Sequence, residues 1–262
     1  MRALQYLLTG CFIWLVSCKE ISVPQPNPTS TQNNNTNTNG NTNTNTNPTN
    51  TATSWALTTP QGKEAYDEFI KLVFKDSGGR DKNVAKWTDA KPQVLVFLDG
   101  SKDPNITKAL EGIFAELKAI NKVNTFSFTS KAADASIIIN RATFEEHNAK
   151  YTSAKSPSSG LAGYTTYTFN SMSGITNATI WLNVSLAANN ALYILRHEFS
   201  HALGLSHTAN TNSIMFATAN IYYKTASYSA LDSKIIEILS DKRIKQGMIL
   251  KDADPIIKEY LK

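Results

Sequence analysis

The sequence predicts an α/β domain with a mixed, twisted sheet over residues 55–262. Three observations support this fold class. The composition becomes globular near Trp55, and the roughly 208 residues that follow are enough for one domain with its own core. Short apolar runs of strand character alternate with segments of helical periodicity. Their order, with helices between strands, is that of a layered α/β fold rather than an all-α or all-β one.

The elements are taken in chain order. A first helix is predicted because apolar residues recur at helical spacing over Ala65–Val73, and Ser77–Gly79 ends it. The nearly continuous apolar run Val94–Leu98 is short enough to be a buried strand. Asp103 and Pro104 are typical of an N-cap and a first helical position, so a second helix begins there.

The second half of the domain contributes further strands and three helices. Phe126 and Phe128 alternate with polar residues, as in a half-buried strand, and Ile137–Ile139 form another. Ile180, Leu182 and Val184 alternate in the same way over 179–185, the last strand before the histidine-rich helix. Ser229-x-x-Asp232 predicts a capped closing helix, and 255–261 a short final one.

Three of the four histidines fall between Leu192 and Phe216. His197 and His201 are four residues apart, so on a helix their rings leave the same face and can bind one tetrahedral cation. Glu198, beside the first histidine, is left to hold a water. Gly204 lets the chain turn sharply and bring back His207 as a third ligand. Three protein ligands with one open position are typical of a catalytic zinc rather than a structural one.

This pattern, His-Glu-x-x-His-x-x-Gly-x-x-His followed by a methionine, resembles the zinc signature of the metzincin metalloproteases. Ser213–Phe216 resembles their Met-turn, and the position of Met215, eight residues after the third histidine, is similar to the matrixin branch. The resemblance implies a zincin fold with an active-site helix and a C-terminal helix. It also implies a zinc endopeptidase with the three histidines as ligands, Glu198 as general base and Met215 beneath the metal. The segment after Met215 would line a side-chain pocket.

A second local match concerns the substrate. Gly160, Leu161, Ala162 and Gly163 resemble the edge segment that runs above the cleft in that family. The resemblance implies antiparallel pairing of this edge with an extended peptide. A glycine-containing surface loop is the alternative.

His147 and the cofactor set complete the site residues. His147 lies beside Glu145 and Glu146 in a polar stretch, so we expect it on the surface. Matrixins use further histidines for a structural zinc, and this sequence lacks them, so we expect one catalytic zinc. The scattered aspartates show no calcium-loop spacing and leave calcium undecided.

The N-terminus indicates export. Residues 1–17 have the layout of a signal peptide, and Leu15–Cys18 resembles a bacterial lipoprotein box, which implies cleavage before Cys18 and a lipid on its sulfur. An ordinary signal peptide is the alternative. The rest of 18–54 is rich in Asn and Thr and predicts a disordered linker. We therefore expect a domain anchored by lipid in the bacterial cell envelope, at the outer membrane, facing the periplasm or the surface.

Charge and cysteine content exclude other classes. Removing residues 1–17 leaves 25 basic against 21 acidic residues, a balance too mild to indicate nucleic-acid binding. Cys18 is then the only cysteine, so no disulfide forms. We expect a monomeric zinc endopeptidase that acts on extracytoplasmic proteins. The alternative function is a non-catalytic zinc-containing surface lipoprotein that binds a protein or glycan.

Overall fold

The computed structural model describes residues 13–19, 54–88, 91–100, 103–121, 123–186, 188–217 and 227–262. Over these residues the fold is mixed α/β with a sheet that is largely parallel, so the predicted fold class is confirmed at that level. Residues 1–12 of the expected signal peptide and 20–53 of the expected linker lie outside the described residues.

The described residues form seven strands and six α-helices. The strands are β1 (Ile13–Lys19), β2 (Lys86–Trp87), β3 (Gln93–Asp99), β4 (Thr125–Phe128), β5 (Ile137–Ala142), β6 (Leu161–Phe169) and β7 (Gly174–Asn183). The helices are α1 (Pro60–Phe74), α2 (Pro104–Ile120), α3 (Phe144–Lys150), α4 (Ala188–Ala202), α5 (Ala230–Leu239) and α6 (Leu250–Tyr260).

The sheet has the strand order β1-β6-β7-β5-β3-β4, and β2 pairs with the start of β7. Strands β3, β4, β5 and β7 are parallel to their neighbours in this group. Strand β6 runs antiparallel to β7, and β1 runs antiparallel to β6. The mixed sheet therefore has a parallel part, β4-β3-β5-β7, and an antiparallel part, β7-β6-β1, and α4 packs against β6 and β7.

Helix α4 buries the apolar face that its sequence predicts. Leu195, Phe199 and Ala202 are fully buried. The Phe199 ring lies 5.9 Å from that of Phe114 on α2 and 5.4 Å from that of Phe126 on β4, between ring centroids. Aromatic pairs at such distances are favourable beyond the area that they bury. The packing fixes α4 along the sheet, and its histidines with it.

The predicted capping signals are present. The Asp103 side chain accepts from Asn105 N at the start of α2, and Ser229 and Asp232 form a reciprocal capping box on α5. The final helix is longer than predicted, because it begins at Leu250 and contains Pro255. A proline removes one backbone donor from a helix, and here the amphipathic packing of α6 against α1 outweighs that loss.

Helix α3 and strands β1 and β2 were absent from the sequence-based prediction. Helix α3 begins with a capping box in which Thr143 and Glu146 bond each other's backbone N–H. Strand β1 pairs with Leu161–Thr168 of β6, so an apolar segment expected to be part of a signal peptide adds a strand to the sheet edge. Among the residues that the structure describes, the helices are too short or too polar to span a bilayer.

The prediction that His147 lies on the surface is wrong. Its side chain is 1% exposed, while Glu145 and Glu146 beside it on α3 are exposed. The capped helix turns His147 towards β7, where its ring stacks on Trp181 with 5.7 Å between centroids. Burial lowers the pKa of His147, and its two ring nitrogens lie within hydrogen-bond distance of Asn140 Oδ1 and of the carbonyl oxygen of Ala154.

Candidate metal centre

Helix α4 carries the first two histidines at the spacing that the sequence predicts. His197 and His201 are one turn apart, with 4.7 Å between ring centroids. Both side chains are buried, 1% and 0% exposed. Each Nδ1 meets a backbone carbonyl, that of Ile214 at 2.6 Å from His197 and that of Leu205 at 2.8 Å from His201. With Nδ1–H donated to a carbonyl, the Nε2 lone pair of each ring is left to face a cation.

The bend after α4 requires glycine. Gly204 has a φ of +102°, and a Cβ there would lie 1.9 Å from the carbonyl oxygen of Ala85. Lys82 also donates to the Gly204 carbonyl at 3.0 Å. The bend is therefore packed from outside, and it returns the chain so that His207 faces the other two rings.

The three rings converge on one point. The Nε2 atom of His207 lies 3.2 Å from that of His197 and 3.1 Å from that of His201. Zn–N bonds of ordinary length in a tetrahedron place nitrogens roughly 3.3 Å apart. One ligand atom from each histidine lies within 4.8 Å of the others, and this cluster could hold a metal ion. The sequence prediction of these three residues as neighbours is thus matched in space.

The electrostatic setting of the rings suits a cation. Burial lowers the pKa of His197 to about 3 and that of His207 to about 4, and the charge of His207 adds to the effect on His197. Burial also lowers the pKa of His201 well below its ordinary value. Unliganded rings are therefore neutral at pH 7, the form in which imidazole binds metals.

The turn at Met215 supports His197 from the side. Ile214 supplies the carbonyl that His197 contacts, and Met215 is fully buried. Asp232 holds this turn, because Ser213 Oγ donates to its Oδ1 at 2.6 Å and Ile214 N to its Oδ2 at 3.1 Å. The sequence predicted Asp232 only as a helix cap. Its second role joins α5 to the cluster and has no signal in local spacing.

The side chain of Glu198, on α4, faces β6. It is 0% exposed, and Thr165 Oγ1 donates to its Oε2 at 2.6 Å. A Cβ on Gly163 would lie 2.8 Å from Glu198 Cγ and 2.9 Å from its Oε1. The carboxylate is therefore in contact with β6. Thr165 was missed by the sequence prediction, although its place two residues after Gly163 puts both on one face of the strand.

The family described as "Protein of unknown function (DUF2927)" matches residues 63–259, from α1 to α6 and including all three histidines. The chain belongs to this family. No curated protein matches the chain.

In this DUF2927 protein the predicted substrate segment has two parts. Gly160 is exposed, whereas Leu161, Ala162 and Gly163 are buried in β6. Gly163 pairs with β7, and the opposite edge of β6 pairs with β1. Cys18 lies in β1, where the pairing register shifts between Ser17 and Lys19. Residues 218–226, which belong to the segment expected to line a pocket, lie outside the described residues.

Proposed function

We propose that this protein is a zinc-dependent endopeptidase of the metzincin type. One observation carries the proposal: three imidazole nitrogens lie close enough together to bind a single ion, and Glu198 follows the first of these histidines on the same helix. Two ligands one helical turn apart plus a third after a sharp bend suit a tetrahedral cation with one free position. The strand arrangement, with an antiparallel strand β6 over the ligand helix, is compatible with the same assignment.

The donor set agrees with zinc. Three neutral imidazoles, with no thiolate in the cluster, suit zinc better than calcium or magnesium, which prefer oxygen ligands. Backbone carbonyls orient two of the rings through Nδ1, which is the usual support of a metal-bound histidine. A zinc ion held there would polarise a scissile carbonyl and lower the pKa of a bound water towards about 7.

Glu198 is the group that we assign to proton transfer. Its carboxylate would accept a proton from water as the water oxygen bonds to the peptide carbonyl carbon. As the C–N bond breaks, Glu198 would deliver that proton to the leaving amine. The hydrogen bond from Thr165 and the close approach of Gly163 limit the rotation of the carboxylate. A carboxylate held in one place beside a metal ligand is what such a role needs.

The same proposal extends to substrate and location. Cleavage before Cys18 would remove residues 13–17, which pair with Tyr164–Thr168 of β6. The backbone of β6 would then be open to an extended peptide. A lipid on Cys18 would hold the domain at the bacterial outer membrane, where extracytoplasmic proteins would be its substrates.

The test is substitution of Glu198 by glutamine in the chain that begins at Cys18. Glutamine keeps the side-chain volume and removes the proton acceptor. We expect one zinc per chain in both parent and variant by elemental analysis. We expect peptide-library cleavage to fall by at least about 100-fold, the lower range for a general base. Glu145→Gln, an exposed glutamate on α3, is the matched control and should cleave like the parent.

The outcomes separate this proposal from a non-catalytic zinc lipoprotein. A parent protein that holds zinc but cleaves no peptide at any rate above that of buffer would favour the binding protein. Cleavage by Glu198→Gln at the parent rate would remove the role given to Glu198. Loss of cleavage in the parent on chelation, with recovery on adding zinc, would support the enzyme.

A further inference from the structure

His207 differs from the other two histidines in how it is held. His197 and His201 are positioned by α4 itself, but His207 lies on the loop that follows the bend at Gly204. A residue on a loop keeps its place only where other elements hold the loop, because fixing each backbone position has an entropic cost. The partners of this loop therefore decide whether the third imidazole is in place before a metal binds.

Helix α1 supplies several of those partners. Ser206, the residue before His207, donates its backbone N–H to the carbonyl of Leu72 at 2.8 Å. Thr208, the residue after His207, donates from Oγ1 to Glu68 Oε2 at 2.5 Å. The same hydroxyl accepts from Asn210 N at 3.0 Å. The histidine is thus bracketed by two bonds to one helix, and Thr208 connects the second of them to the following turn.

Glu68 is an unusual residue for the buried face of a helix. It is 3% exposed, and its other oxygen accepts from Lys71 at 2.7 Å. The hydrogen bond to Glu68 raises the pKa of Lys71. Burying a carboxylate is costly unless each oxygen has a partner. Here one of the two oxygens is used for the residue adjacent to the third ligand.

We propose that Glu68 is a positioning residue for the metal centre: through the Thr208 hydroxyl it fixes the loop that presents His207. It rests on the proposed function only in requiring that the histidine cluster binds zinc. Removing a hydrogen-bond partner behind a metal ligand commonly weakens metal binding by about 10–100-fold. Helix α1, which carries none of the three histidines, is therefore part of the metal site.

The experiment measures zinc affinity by chelator competition, and the visible spectrum of the cobalt-substituted protein, in the chain that begins at Cys18. For Glu68→Met, which keeps the length of the side chain and removes both acceptor oxygens, and for Thr208→Val we expect the zinc dissociation constant to rise about 10-fold or more, with altered cobalt bands. Combining the two should add little, because they remove the same bond. Thr208→Ser keeps the hydroxyl and should restore affinity to within threefold of the parent, a margin of about 0.6 kcal/mol.

Glu64→Met is the matched control. Glu64 lies one turn before Glu68 on α1 and accepts from Asn210 Nδ2 at 2.9 Å, but this bond is exposed. Exposed polar contacts contribute little, so the zinc dissociation constant should change less than about threefold. If α1 merely stabilised the fold, Glu68→Met would lower the melting temperature and leave the zinc affinity and cobalt bands of the folded protein unchanged.

The outcomes are distinguishable from those of the peptidase proposal. A parent that binds zinc, with a Glu68→Met variant of equal affinity, overturns this inference and leaves the peptidase proposal intact. A parent that binds zinc without cleaving peptides, with a variant of weakened affinity, supports this inference and removes the peptidase. A parent that purifies and titrates without stoichiometric zinc overturns both.

Discussion

The metal cluster and the His147 site both bury imidazole rings, but they use the ring nitrogens differently. At His147, Nδ1 lies 3.1 Å from Asn140 Oδ1 and Nε2 lies 2.9 Å from the carbonyl of Ala154. Each ring nitrogen of His147 therefore has a protein oxygen as its hydrogen-bond partner. At His197, Nδ1 also meets a carbonyl, but Nε2 faces the Nε2 of His207 at 3.2 Å.

The difference shows which feature separates a structural histidine from a ligand. Burial does not, because His147 and His197 are equally buried and burial lowers the pKa of both rings. Stacking does not either, because His147 packs on Trp181 and the cluster rings pack on one another. The separating feature is a ring nitrogen that faces a point shared with other nitrogens. The following predictions test this distinction, from the largest effect to the smallest.

The largest effect is expected on removing a ring from each site. His201→Ala should purify without stoichiometric zinc and lose at least about 1,000-fold in peptide cleavage, since the several kcal/mol that a metal contributes to the transition state are gone. His147→Ala, the matched variant, should retain one zinc per chain and the parent activity of its folded fraction. Elemental analysis and peptide cleavage measure both. Loss of zinc from folded His147→Ala would remove the distinction between the two sites.

A smaller effect is expected on stability when zinc is added to the stripped protein. Free zinc at 1,000 times its dissociation constant stabilises a native state by about 4 kcal/mol. For a domain of this size, the melting temperature should rise by roughly 8–16 °C. His147→Ala should start lower, by about 2–4 kcal/mol for lost packing and hydrogen bonds, and show the same rise. His201→Ala should show little rise, and a full rise there would place the ion elsewhere.

The sequence predicted the metal cluster well because its geometry is local. His197 and His201 follow from helical spacing, and Gly204 from the need for a positive φ, so only the return of His207 depends on packing. The supports of the cluster come from distant parts of the chain. Thr165 is 33 residues before Glu198, and Glu68 is 140 residues before Thr208, so no spacing rule connects them.

His147 shows the opposite case. A local sequence signal existed, but the prediction placed His147 on the exposed face of the segment instead of the buried one. Its neighbours Glu145 and Glu146 are polar because they lie in the exposed first turn of α3. Thr143-x-x-Glu146 is a capping box, and a helix that begins there turns the next residue inward. Strand β1 could not be predicted, because its apolar run is equally compatible with a signal peptide and with a strand.

The smallest effect is expected on substituting Trp181, a residue of β7 that contacts His147 and pairs with β6. Trp181 on β7 packs on His147 and pairs in register with Tyr164 of β6, the residue between Gly163 and Thr165, which both contact Glu198. Trp181→Phe keeps an aromatic ring and removes the bond from Nε1 to the carbonyl of Ala142. We expect the free energy of unfolding to fall by about 1–2 kcal/mol, which lowers the melting temperature by roughly 2–8 °C. Zinc affinity should stay within threefold of the parent, because distant sites without shared partners behave additively. A larger change in zinc affinity, measured by chelator competition, would mean that the sheet couples the two sites and that His147 acts on the cluster from behind β6.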